Sequence, residues 1–196
     1  FGVVCRGNST SRLVEHCSAC SESSELYIES LMHLLANNKG RIKALGEFGL
    51  DAERTHFANM TIQERFFELQ FKILREFKLP MFLHFRGNAY ESCFASFIRI
   101  LNSHKDLWSQ KGGVVHSFTG TGDQLKEILN LGLDIGINGC SLKTTDNLAV
   151  AGSVPLNRLH LETGEFQRSA MQLQNSSPPA QTPLGANSDP PTLASH

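Results

Sequence analysis

Apolar residues recur along this chain with two alternating periods. Between Ser24 and Asn37, Leu26, Tyr27, Leu31, Leu34 and Leu35 stand at helical spacing, which predicts an amphipathic helix that stops near Gly40. The run IKALGE at 42–47 then reads as a strand. Thr61 and Glu64 have the spacing of a capping box, and Ile62, Phe66, Leu69, Ile73 and Phe77 follow on one helical face. Pro80 ends that helix and the strand MFLH begins. A third helix is predicted over 89–103, with Phe94, Phe97, Ile98 and Leu101 inward, and the strand GVVHSF follows at 113–118. Thr121 opens a short helix carrying Leu125, Ile128 and Leu129, and DIGING at 134–139 and RLHLET at 158–163 complete the series as strands.

Strand and helix units in alternation, with strands apolar on both sides, predict an α/β fold in which a parallel sheet is covered by helices. A closed barrel of such units has eight strands and typically about 250 residues, whereas the pattern yields five strands in 196 residues. The expected fold is therefore an incomplete TIM-barrel-like (β/α) domain over residues 24–164. It is preceded by a poorly patterned segment, 1–23, and followed by a tail, 165–196, rich in Ser, Pro, Gly, Ala and Asn, whose composition predicts disorder. Missing strands leave unpaired sheet edges and an open apolar interior, so aggregation of the isolated chain is expected.

A hydrophobic fraction of 40% supports a sizeable core, and a formal charge of −1 gives no global attraction for nucleic acid or an anionic membrane. Phosphate binding must therefore come from a local site. No apolar run reaches the length of about 18 residues that a membrane span needs. Five cysteines without a signal-like start read as free thiols of a reducing compartment, and the first residues, FGVVCRGN, lack an initiator Met.

Three residues carry the candidate chemistry. Glu47, His84 and His116 each end an apolar run, in IKALGEFGLD, LPMFLHFR and GGVVHSF. One metal-ligating residue type at the carboxyl end of each of three successive strands is the layout of a metal site at the mouth of a parallel barrel. Arg86, two residues beyond His84, suits a phosphate contact through its guanidinium, with a surface cation as the plainer alternative. Asp51 and Arg54 read as a structural pair. His33, His56, His104 and His160 fall in no motif and read as structural. Cys17-Ser-Ala-Cys20 has zinc or redox spacing but no second pair, so loop thiols are the simpler reading. The aromatics of RFFELQFKILREF stand at helical spacing and read as core.

The strings KALGEFGLD, KLPMFLHFR, GGVVHSFTGT, LDIGINGCSLKT and RLHLET, in this order between Ser24 and Thr163, resemble the TatD family of metal-dependent deoxyribonucleases, most closely its eukaryotic branch of proteins like TatD-domain-containing protein 1. The resemblance implies a TIM barrel with two metal ions at its carboxyl-terminal mouth and hydrolysis of phosphodiester bonds in DNA. It makes Glu47 the metal-bridging carboxylate and His84 and His116 ligands of the second ion, with Mg2+ or Zn2+ as the metal. It implies DNA as the partner, with neither a membrane nor a protein partner, and a place of action in the nucleus or cytoplasm.

The chain departs from the family pattern at the first ion. No Asp-x-His-x-His strand occurs in these residues, and Gly164 stands where the family has the aspartate of a Glu-Thr-Asp motif. The chain thus resembles a family member truncated at both ends. Two function classes follow: a DNA hydrolase whose first-metal ligands lie in further sequence, or an inactive relative retaining a partial metal site. Barrel hydrolases of amides and esters fit less well, since many of them bridge their metals with a modified lysine.

Overall fold

A computed structural model describes residues 19–87 and 91–162. The expectations for Cys17, Gly164, the amino-terminal segment up to residue 18 and the tail lie outside the described residues. Among the described residues, five parallel strands lie side by side in chain order: β1 (Leu45–Asp51), β2 (Met81–Arg86), β3 (Gly113–His116), β4 (Asp134–Ile137) and β5 (Leu159–Leu161). The helices are α1 (Ala19–Asn37), α2 (Met60–Phe77), α3 (Glu91–Ser103), α4 (Lys105–Trp108), α5 (Gly122–Leu131) and α6 (Thr145–Gly152). None is long and apolar enough to cross a membrane. This is the α/β arrangement read from the sequence, because strands joined in parallel need a crossover between them and the helices supply it.

The pleat separates two environments. On β2, Met81, Leu83 and Phe85 are buried, while the alternating Phe82, His84 and Arg86 are only partly covered. The buried set faces a core that includes Phe48 and Leu50 of β1, Val115 of β3 and Ile135 of β4. Phe48 meets Phe67 and Phe71 of α2 edge-on, at centroid distances of 5.5 and 5.8 Å, and Phe67 stacks on Phe97 of α3 at 5.5 Å. Each such pair contributes roughly 0.5–1.5 kcal/mol beyond area burial. Trp108 is buried with its indole N–H donating to the Leu101 carbonyl at 2.9 Å.

Two helices turn a different face inward from the one expected. On α2, Phe67, Phe71 and Leu74 are buried; of the expected stripe Ile73 joins them, and Leu69 and Phe77 pack part-buried against the core. RFFELQF offers two apolar stripes, and the aromatic contacts with β1 and α3 select between them. On α1, Ile28 and Leu35 are buried with Leu31 and Met32 beside them, while Leu26 and Leu34 are exposed. The cap of α2 also differs: the Asn59 side chain accepts from the Ile62 N–H at 3.0 Å, so the cap lies before Thr61 in the chain. At α5 the expected cap is present as a full capping box between Thr121 and Gln124. At the amino-terminal ends of β4 and β5, Asp134 accepts from Arg158 and pairs with His160 at 2.9 Å, which accounts for His160 structurally.

Candidate metal centre

β1 runs from Leu45 rather than from Ile42, so Glu47 lies inside the strand, and there the ladder is irregular. Gly46 pairs with Phe82 and Phe48 with Leu83, which leaves Glu47 as the extra residue of a bulge. A bulge breaks the alternation and re-aims one side chain. His84 and His116 are direct register partners across β2 and β3, so their rings project from adjacent points of one sheet face. Their neighbour Phe82 stacks on the His116 ring at 4.8 Å.

The three side chains converge. Glu47 Oε1 lies 2.6 Å from His84 Nδ1 and 2.6 Å from His116 Nε2. The two ring nitrogens are 3.3 Å apart. One candidate donor atom from each residue falls within 4.8 Å of the others, a cluster that could hold a metal ion. Behind each ring stands a second carboxylate. His84 Nε2 is 3.0 Å from Asp51 Oδ2, and His116 Nδ1 is 3.5 Å from Glu162 Oε2. Histidines that ligate metals nearly always give their far nitrogen to such a group, which sets the tautomer and the ring angle.

Both supporting carboxylates are themselves held. Asp51 Oδ1 accepts the Glu53 N–H at 3.0 Å, and Arg54 Nε lies 3.7 Å from Oδ2. The expected pairing of Asp51 with Arg54 is therefore present, but the shorter bond of Asp51 goes to His84. Glu162 Oε1 accepts the Ser117 N–H at 3.2 Å, and Asn138 Nδ2 donates to Ser117 Oγ at 2.9 Å. Ser117 stands at φ 50°, a left-handed backbone that costs a non-glycine residue about 1 kcal/mol. Glycines open the space. A Cβ on Gly49 would sit 1.9 Å from the His84 carbonyl oxygen, and one on Gly136 would sit 1.8 Å from Glu162 Oε1.

The electrostatics follow from these contacts. Hydrogen bonds from His116 and then His84 hold the Glu47 carboxyl far below the usual carboxylate range, against the effect of burial. Burial disfavours the charged form of His116, but the carboxylates of Glu162 and Glu47 outweigh it and push the imidazole up to about 9. For His84 burial is again opposed and overcome, by Asp51 and then Glu47, so its pKa is raised. Burial would raise the Asp51 carboxyl, yet the His84 bond leads the effects that leave it lowered.

Arg86 lies on the His84 face of β2, two residues further along, and its charge acts on Asp51. Asp51 and Glu162 are the residues sequence reasoning missed. Their signal was present: each is an acidic residue at the carboxyl end of an apolar strand, in FGLD and RLHLE.

The sequence model of the family described as TatD related DNase matches residues 14–183. The chain belongs to the TatD family. Deoxyribonuclease Tat-D of Schizosaccharomyces pombe is 43% identical over 145 residues, which are 73% of this chain and 45% of that protein. The 3'-5' ssDNA/RNA exonuclease TatD of a Rahnella species is 35% identical over 161 residues, 76% of this chain and 58% of that one. The chain thus spans about half the length of these TatD relatives. Among solved structures, a TatD family hydrolase of Entamoeba histolytica is similar with a TM-score of 0.68 at 27% identity, over 83% of this chain and 54% of that one. An amidohydrolase of Saccharomyces cerevisiae gives 0.62 at 30% identity, over 81% and 54%. The five-stranded α/β sheet is accordingly part of the TIM-barrel-like fold of TatD hydrolases, a metal-dependent family.

Proposed function

We propose that this chain binds a divalent metal ion, Mg2+ or Zn2+, through Glu47, His84 and His116, and that the site serves the hydrolysis of phosphodiester bonds in DNA. The observation that carries this reading is the meeting of Glu47 Oε1 with His84 Nδ1 and His116 Nε2, with a carboxylate behind each ring. The donor set fits: imidazole and carboxylate suit a zinc-like ion, and three protein donors are the number of an open catalytic site. When bound, such an ion supplies Lewis acidity, neutralising charge on a phosphate oxygen and acidifying water.

The remaining work falls to the protein. Asp51 and Glu162 stand behind the far nitrogens, so that His84 Nδ1 and His116 Nε2, once free of the protons they share with Glu47, would offer their lone pairs to an ion. The Arg86 guanidinium, further along the same face of β2, suits a bidentate contact to a phosphate. Among the described residues one cluster has metal-ligand geometry. A single ion neutralises transition-state charge less than two do, a loss of several kcal/mol or about a thousandfold in rate. The 196-residue chain on its own is expected to bind metal weakly and to cut DNA slowly or not at all. A DNA substrate carries with it a place of action in the nucleus or cytoplasm.

The test is a nuclease assay on the purified chain with Mg2+, Mn2+ or Zn2+. Slow cleavage that EDTA and Glu47→Ala both abolish supports the reading. Cleavage that survives Glu47→Ala refutes it.

A further inference from the structure

β4 lies between β3 and β5 and supplies none of the three candidate donors, yet the carboxylate behind His116 has to cross it. His116 ends β3 and Glu162 follows β5, two strands away, a span of about 10 Å between backbones at the usual strand spacing. Two residues meet the Glu162 side chain on that path. Gly136 lies beneath it, where a Cβ would collide with Glu162 Oε1. Asn138, two residues further and therefore on the same face, is 6% exposed, and its amide nitrogen stands 3.5 Å from Glu162 Oε2. Resting on the metal-binding reading above, we propose that Asn138 is a positioning residue of this centre, which together with the gap at Gly136 fixes the Glu162 carboxylate behind His116.

The orientation of the Asn138 amide carries the argument. Its oxygen accepts the Cys140 N–H at 3.0 Å and so caps the turn Gly139–Leu142. A backbone N–H can only donate, so the atom facing it is the oxygen, and the NH2 group points the other way. That group donates to Ser117 Oγ at 2.9 Å and reaches Glu162. Ser117 in turn gives its backbone N–H to Glu162 Oε1 at 3.2 Å. One side chain thus links the carboxyl ends of β3, β4 and β5, and both oxygens of Glu162 are met from this corner.

Capping alone does not call for an asparagine. Serine and aspartate cap a helical turn about as well. A serine hydroxyl is too short to reach both the turn and Glu162, and an aspartate would set a second carboxylate against Glu162. A buried amide N–H needs an acceptor, so the Asn138 NH2 and its partners hold one another in place.

The test is calorimetric titration of the full chain with Zn2+, for Asn138→Ser and Gly136→Ala, each alone and combined with Glu162→Ala, alongside proton NMR of the metal-free chain. Asn138→Ser keeps a capping hydroxyl and gives up the reach to Glu162. Gly136→Ala displaces the flexible end of Glu162, and the nearest backbone atom, His116 Cα, is 3.1 Å from the new Cβ. Each is expected to lower Zn2+ affinity about tenfold, the lower end of the loss for a group behind a ligating histidine. In the Glu162→Ala background each should change affinity by less than about twofold, because a residue that acts through Glu162 has nothing left to place. In the metal-free spectrum the His116 ring N–H that faces Glu162 should give a downfield signal that is lost in Glu162→Ala and in Asn138→Ser. Parent affinity in Asn138→Ser, a loss of equal size with and without Glu162, or a His116 signal that Asn138→Ser leaves in place overturns the proposal. Should a thermal melt show Asn138→Ser unfolded, Gly136→Ala carries the same comparison. A parent chain that binds no Zn2+ ends the metal reading, and the His116 signal still decides whether Asn138 places Glu162.

Discussion

Asp51→Ala should weaken metal binding without unfolding the chain. The Asp51 carboxylate and the His84 ring are each 11% exposed in their side chains, so their 3.0 Å bond is largely shielded from water. A hydrogen bond to a charged group in such a setting contributes about 1.5–3 kcal/mol. Without it the His84 ring loses its orientation and its Nε2–H loses its acceptor, and the loss falls on Nδ1, which faces Glu47. Removal of such a supporting group typically costs 10–100-fold in metal affinity, or about 1.4–2.7 kcal/mol. The fold should be less affected, because Gln63 holds the loop through the Asp51 backbone N–H and carbonyl, which the substitution keeps. Calorimetric titration with Zn2+ at pH 7.5 measures the affinity, and a thermal melt the stability. Asp51→Asn, which retains an acceptor without the charge, should fall between the parent and Asp51→Ala. If Asp51→Ala binds Zn2+ as tightly as the parent, the second carboxylate does not organise this site and the argument fails.

Metal affinity should rise with pH, since His116 holds its proton up to about 9 and a cation must displace it; a flat profile from pH 6 to 9 in the same titration would refute this. In the metal-free chain the sign for stability is opposite. A histidine raised from 6.5 to about 9 contributes fully below pH 6.5 and loses that contribution as pH climbs through 9, so the chemical-denaturation midpoint should fall over that window. Gly49→Ala forces a Cβ against the His84 carbonyl at a backbone φ of 149°, and should cost about 3 kcal/mol or more by urea unfolding. Cys93 is buried and its thiol is pushed up to about 11, so iodoacetamide at pH 8 should modify it only after unfolding, as peptide mass spectrometry can show.

The order of strands and helices was legible because each segment shows one clear period, 2 or 3.6, bounded by Gly, Pro or a cap. The cluster was legible because Glu47, His84 and His116 stand where apolar runs end. Helix faces were harder: RFFELQF carries apolar side chains on more than one stripe, and tertiary contacts with Phe48 and Phe97 decide which is buried. The cap of α2 was misplaced because Asn59 and Thr61 are both competent and the choice depends on where the first turn closes. The bulge at Glu47 was invisible, since it exists only in the pairing of β1 with β2. Asp51 and Glu162 also end apolar runs, but a carboxylate that orients a ligand has no spacing rule that separates it from a solvated strand end.

Charge in the cluster explains why these acids and imidazoles are assembled together. Glu47, Asp51 and Glu162 place three carboxylates around two imidazoles. In the metal-free chain that excess of negative charge is offset by protons: His116 carries one at pH 7, and His84 is pushed toward carrying another. A divalent cation entering between Glu47 and the rings would displace the His116 proton as it brings in two charges. Loading of the proposed site would therefore raise its net charge by less than the two charges of the ion. The same carboxylates that raise the histidines toward protonation are the ones that make them better ligands, by strengthening the basicity of the nitrogens facing Glu47. The two ring nitrogens stand 3.3 Å apart because both meet Glu47 Oε1 at 2.6 Å, the point of convergence that a cation would take over.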